Sequence, residues 1–129
     1  MTKDFREFIL SRIHSFRHAF AGWAFVIRTQ RNAWIHALAS VLVILVSLWL
    51  HLSLQDWAMI ILAITLVWTA EFLNTALEAV ADLASNGQQN RLAKVGKDVG
   101  AAAVLIAALS SILIGILIIG PPLMERLGY

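Results

Sequence analysis

Residues 57–83 read Trp57-Ala-Met-Ile-Ile-Leu-Ala-Ile-Thr-Leu-Val-Trp-Thr-Ala-Glu71-Phe-Leu-Asn74-Thr-Ala-Leu-Glu78-Ala-Val-Ala-Asp82-Leu83. From Trp57 through Ala70 the run carries no charge, and the apolar register continues to Leu83. An α-helix turns about 100° per residue. Relative to Glu71, Asn74 then lies at roughly −60°, Glu78 at roughly −20° and Asp82 at roughly +20°. The four polar groups form one narrow stripe, and the opposite face stays apolar. With Trp57 at one interface and a rise of about 1.5 Å per residue, Glu71 sits about 21 Å along the helix. A hydrocarbon core is about 30 Å thick, so Glu71 remains below the far surface, Glu78 is close to it and Asp82 is beyond it. A carboxylate at that depth costs several kcal/mol if it faces lipid, so it must face protein, water or a cation.

Outward from this stretch, the chain keeps the same character. Its 129 residues suit one domain. They are 60% hydrophobic and 14% charged, against about 45–50% and about 25% in soluble domains. That composition belongs in a bilayer. Residues of about 33–52 form a first span, 57–83 the second and about 98–120 a third, which Pro121-Pro122 is expected to end. Ser53–Asp56 reads as a tight turn, and Ala84–Asn90, with Ser85, Asn86, Gly87, Gln88 and Gln89, as a loop. Residues of about 1–28 place Phe5, Phe8, Ile9, Ile13, Phe16 and Phe20 at helical spacing, with Arg6, Arg12 and Arg17 elsewhere. This predicts a basic amphipathic helix lying in the membrane interface. The expected architecture is all-α: a surface helix followed by three transmembrane helices.

Lysine and arginine set the orientation. Lys3, Arg6, Arg12, Arg17, Arg28 and Arg31 precede the first span, and Arg91, Lys94 and Lys97 follow the second. The turn at 53–56 has none, so the N-terminus and the second loop are expected in the cytoplasm. The N-terminal residues mix both charge signs and do not read as a signal peptide. A net charge of +2 without an aromatic-basic stripe gives no support for nucleic acid as a partner. With no cysteine there is no disulfide and no thiolate metal site.

The polar stripe suggests a cleft that opens to the cytosol and reaches into the acyl region. A lipid-alcohol kinase needs that geometry, because its hydroxyl arrives from the membrane and its ATP from water. Glu71 can accept the hydroxyl proton. Glu78 and Asn74 offer oxygens suited to magnesium, which offsets phosphate charge. Across the loop, Lys97 can neutralise a phosphate, and Asp98 can take a second metal contact or orient Lys97. The small residues from Gly100 to Ala103, and Gly96 with Gly100 in GxxxG spacing, permit close helix approach. Plainer roles exist for each: Lys94 and Lys97 as positive-inside anchors, Glu71 as an oligomer lock or proton relay, Asn74 as an interhelical bond. The chain lacks GxxxxGK[ST] and GxGxxG, so neither glycine loop holds the nucleotide. His14, His18, His36 and His51 are too dispersed for a metal cluster, while His18 and His36 flank the proposed site as candidates for nucleotide contact.

The run Glu71-Phe-Leu-Asn-Thr-Ala-Leu-Glu78, then Asp82, then Ala93-Lys-Val-Gly-Lys-Asp98, resembles the prokaryotic diacylglycerol kinase family, which also contains undecaprenol kinases. Phe16-Arg-His-Ala-Phe-Ala-Gly22 and Arg31-Asn-Ala-Trp-Ile-His36 look like the family's N-terminal pattern, so the resemblance covers nearly the whole chain. It implies a homotrimer in the bacterial inner membrane, with sites shared between subunits on the cytoplasmic side. It also implies Glu71 as general base and Glu78 as metal ligand. Asn74, Asp82, Lys97 and Asp98 would support metal and triphosphate, and His18 with Ala21–Gly22 would approach the nucleotide. One position departs from the pattern. Where family members often carry a metal-binding glutamate, this chain has Gln30. An amide oxygen can coordinate magnesium without negative charge, so weaker metal binding rather than lost activity is expected. The Arg-Asn-x-x-Ile-His pattern leans toward the undecaprenol branch, but both lipids present a primary hydroxyl on an apolar body. Two other readings of the same acids stay open at this point: a small cation or proton transporter, and a structural membrane oligomer.

Overall fold

The computed structural model describes residues 2–128, with side chains from Asp4 onward. The charge read at Lys3 and both chain ends lie outside them. Four helices follow in order: α1 Thr2–Thr29, α2 Arg31–Leu50, α3 Leu54–Ala84 and α4 Arg91–Leu127. Among the described residues there is no strand. The chain divides into two compact units, Met1–Arg31 and Asn32–Tyr129.

The first unit is essentially α1. Phe5, Phe8, Phe16 and Phe20 are exposed, and the Arg12 guanidinium lies 5.3 Å above the Phe8 ring. Gln30 leaves the helical path, its N–H still donating to Val26 O at 2.8 Å. The break between α1 and α2 is therefore one residue wide.

In the second unit, α2, α3 and α4 are each long and apolar enough to cross a membrane. Their outer faces carry exposed leucine and isoleucine, such as Leu38, Leu42, Leu62, Leu66, Ile106 and Leu113. Water would penalise that surface; acyl chains do not. The buried residues of α3 are Ile60, Ala63, Val67, Glu71, Asn74 and Thr75, spaced three and four apart along one stripe. They face Gly100, Val104 and Ala107 of α4. Small residues let the two backbones approach. Ser111 Oγ donates to Ala63 O at 2.9 Å, fixing the antiparallel register in the middle of the pair. α2 reaches α3 through side chains instead: Trp68 Nε1 donates to Ser40 Oγ at 3.2 Å.

The helix ends differ in part from expectation. Ser53 and Asp56 form a capping box rather than a simple turn. Ser53 Oγ accepts from Asp56 N at 3.2 Å, and Asp56 Oδ2 accepts from Ser53 N at 3.3 Å. His51 takes the left-handed conformation, φ 55°, which turns the chain between α2 and α3. Asn90 caps α4, its Oδ1 accepting from Leu92 N at 2.8 Å. This start puts Lys94, Lys97 and Asp98 on the helix rather than before it. Pro121-Pro122 do not stop α4, which continues to Leu127 and closes on Gly128 at φ 84°. Each proline removes one backbone bond but adopts helical φ, and in an apolar setting unwinding would leave more groups unpaired. The extension brings the Arg126 guanidinium 5.1 Å above the Trp49 ring.

Candidate functional site

The stripe predicted on α3 is present and graded by depth. Glu71 is 1% exposed and Asn74 6%, whereas Glu78 is half-buried and Asp82 exposed. Each lies three or four residues beyond the last, so one face of one helix leads from the interior to its open end. Asn74 Nδ2 donates to Glu78 Oε1 at 3.0 Å, binding two members of the stripe together. Thr75 Oγ1 donates back to Glu71 O at 2.9 Å, which spends its hydroxyl on the helix.

Both Glu71 oxygens and Asn74 Oδ1 are buried without a hydrogen-bond partner. Buried polar atoms are nearly always satisfied in native proteins, because an orphan costs about 1–3 kcal/mol. All three acceptors lie on one stripe, where each can take a donor or a cation. From α2, His36 Nε2 comes within 3.7 Å of Glu71 Oε2. Sequence alone places that residue only as a flanking group, since the wheel of α3 carries no information about α2.

Asn74 owes its place to Gly100. A Cβ added at Gly100 would collide with Asn74 Oδ1 and would stand 3.3 Å from its Cγ and 3.5 Å from Leu77 Cδ1. Gly96, the other half of the GxxxG spacing, has open space around its Cα, so only Gly100 makes the close approach. Gly100→Ala is expected to cost about 1–3 kcal/mol of stability through overpacking and to pull Asn74 off Glu78. Thermal unfolding in detergent checks the first part. A matching Gly96→Ala change, in open space within α4, should leave the melting temperature unchanged or raise it by a few degrees through alanine's better helix propensity.

The lysines pair otherwise than expected. Lys97 Nζ meets Asp82 Oδ1 at 2.5 Å, tying α4 to α3, and Lys94 Nζ meets Asp98 Oδ2 at 2.7 Å along α4. Asp98 therefore orients Lys94 rather than Lys97. Both pairs are exposed and cheap to exchange for another anion. His18 and Gln30 belong to the first unit. Among the described residues no three His, Cys, Asp or Glu side chains converge as a protein-only metal cage. Magnesium rarely uses one: it takes one or two carboxylates and completes its shell with water and phosphate. The hard oxygens of Glu78 and the unpartnered Asn74 Oδ1 fit that requirement.

The prokaryotic diacylglycerol kinase family matches residues 17–119, which include the whole polar stripe and its lysines. The chain belongs to this family of lipid kinases. It is 38% identical over 122 residues to the undecaprenol kinase of Bacillus subtilis, covering 95% of this chain and 98% of that protein. Against the diacylglycerol kinase of Synechocystis sp. it is 43% identical over 111 residues, which is 86% of this chain but 63% of the relative's length. The diacylglycerol kinase of Escherichia coli strain K12 is 32% identical over 90 residues, covering 64% of this chain and 73% of that one. A membrane enzyme family thus coincides with an acidic stripe on a helix long and apolar enough to cross a membrane.

Proposed function

We propose that this protein transfers the γ-phosphoryl group of ATP to the hydroxyl of a membrane lipid alcohol, diacylglycerol or undecaprenol, giving phosphatidic acid or undecaprenyl phosphate. The observation that carries the reading is the buried, unpartnered Glu71 carboxylate at the inner end of a stripe that opens through Glu78 to Asp82. A hydroxyl anchored by an apolar body comes to that depth, and a triphosphate can enter from the exposed end.

Glu71 is the general base. One of its oxygens accepts the hydroxyl proton as the lipid oxygen bonds to the γ-phosphorus, and the bond from that phosphorus to its bridging oxygen breaks to release ADP. Glu78 and Asn74 would hold magnesium, which takes one or two carboxylate or amide oxygens and completes its shell with water and phosphate. Magnesium, when bound, offsets the charge of the triphosphate. Lys97 exchanges Asp82 for phosphate oxygens, while Asp82 and Asp98 keep the two lysines directed toward the open end. Three copies assemble so that neighbouring subunits complete each site. The N-terminus and site face the cytoplasm of a bacterial cell, with α1 lying on the membrane surface.

A kinase, unlike a transporter or a structural oligomer, needs its cations at the open end of the stripe. Lys97→Met is therefore expected to raise the KM for ATP about 10- to 100-fold, the value of one charge-assisted bond, with stability changed by less than about 0.5 kcal/mol. Steady-state kinetics and a thermal melt check both. ADP release measured with and without each lipid alcohol tests the function itself. Release that requires magnesium and one of the two lipids supports the reading, and release indifferent to lipid rejects it.

A further inference from the structure

A carboxylate that must receive one proton from one direction needs its plane fixed, and nothing on α3 itself does this for Glu71. The nearest candidate comes from α2. His36 Nε2 stands 3.7 Å from Glu71 Oε2, with His36 14% and Glu71 1% exposed at the side chain. Nε2 is buried and, like both carboxylate oxygens, has no hydrogen-bond partner.

The imidazole is held in place by a clamp that runs between the two helices. Trp68 meets the His36 ring edge-on, centroids 6.4 Å apart at 68°. The Trp68 indole N–H is spent on Ser40 Oγ at 3.2 Å, and Ser40 Oγ in turn donates to His36 O at 2.7 Å. Phe72 packs against the tryptophan, 6.2 Å between centroids. Trp68, one turn before Glu71 on α3, therefore packs on the ring that faces its carboxylate. The remaining gap is longer than a hydrogen bond of about 2.7–3.2 Å. A small rotation of either side chain closes it, and catalytic contacts commonly tighten only when substrate is bound.

We infer that His36 is a positioning residue for Glu71: its Nε2–H binds Oε2 and leaves Oε1 aimed at the acceptor hydroxyl. The assignment rests on Glu71 being the base. His36 itself keeps its proton throughout, while the hydroxyl proton passes to Oε1. Loss of such orientation costs turnover rather than nucleotide binding, because a misplacement of about 1 Å in a reacting group is worth about 100-fold.

Two substitutions separate this role from simple packing. His36→Leu keeps much of the volume and has no donor. His36→Gln puts an amide N–H near the position of Nε2. Purified full-length protein in mixed micelles should show kcat for H36L reduced about 10- to 100-fold with the KM for ATP unchanged, and H36Q within about threefold of wild type. Size-exclusion profiles and melts should match wild type in both; if H36L does not assemble, His36→Met serves as the donorless variant. Wild-type kcat in the donorless variant overturns the inference, as does equal loss in it and H36Q. Glu71→Gln measured alongside keeps the two questions apart: if that variant stays active, the assignment of the base fails instead.

Discussion

Glu71→Gln should reduce phosphate transfer about 10²- to 10⁴-fold, the range over which a positioned general base contributes, and should leave the assembled protein at least as stable as wild type. Glutamine has nearly the same shape as glutamate and presents one oxygen in the same place, but it cannot take the hydroxyl proton. The site has no hydrogen-bond partner for either Glu71 oxygen and exposes only 1% of the residue. Removing a charge from such a place relieves a burial cost rather than adding one. Turnover and a melting curve on one preparation check both halves. A structural acid predicts the reverse pattern, with a lowered melting temperature and little change in residual rate per assembled protein.

Glu78→Gln should act on magnesium. Glu78 accepts from Asn74 at 3.0 Å through Oε1, and an amide oxygen can keep that bond. What is lost is the negative charge that would face the metal. The magnesium concentration for half-maximal rate is expected to rise at least about 10- to 100-fold, since even partners behind a metal ligand are worth that much. High magnesium should restore part of the rate in E78Q and none in E71Q. A magnesium titration at saturating ATP distinguishes the two. An unchanged half-maximal concentration in E78Q would remove Glu78 from the metal site.

How much of this was legible in the sequence depends on whether one helix or two carried the information. The α3 stripe was fully readable, because a 3.6-residue period fixes the relative positions of Glu71, Asn74, Glu78 and Asp82 without any partner. The three spans and four helices were readable from apolar run length for the same reason. Pairings across helices were not. Lys97 bonds Asp82 because both stand at the open end of the α3–α4 pair, and sequence adjacency wrongly suggested Asp98. His36 meets Glu71 through the side-chain contact of α2 with α3, which no periodicity encodes. Gly100 and Gly96 look alike in GxxxG spacing, yet only Gly100 lies against Asn74. The stop expected at Pro121-Pro122 failed because backbone satisfaction in an apolar setting outweighed proline's local preference. The Ser53-x-x-Asp56 capping box is present in the letters, in a segment that by composition alone reads as a turn.

The most direct measurement follows the phosphate itself. Wild-type protein is incubated with γ-labelled ATP, magnesium and either diacylglycerol or undecaprenol, and the organic phase is separated and its labelled lipid identified. Label carried by phosphatidic acid or undecaprenyl phosphate, and absent with Glu71→Gln, is the result expected of a buried base that meets a lipid hydroxyl. An organic phase without labelled product from either alcohol, or the same yield from both proteins, would contradict it.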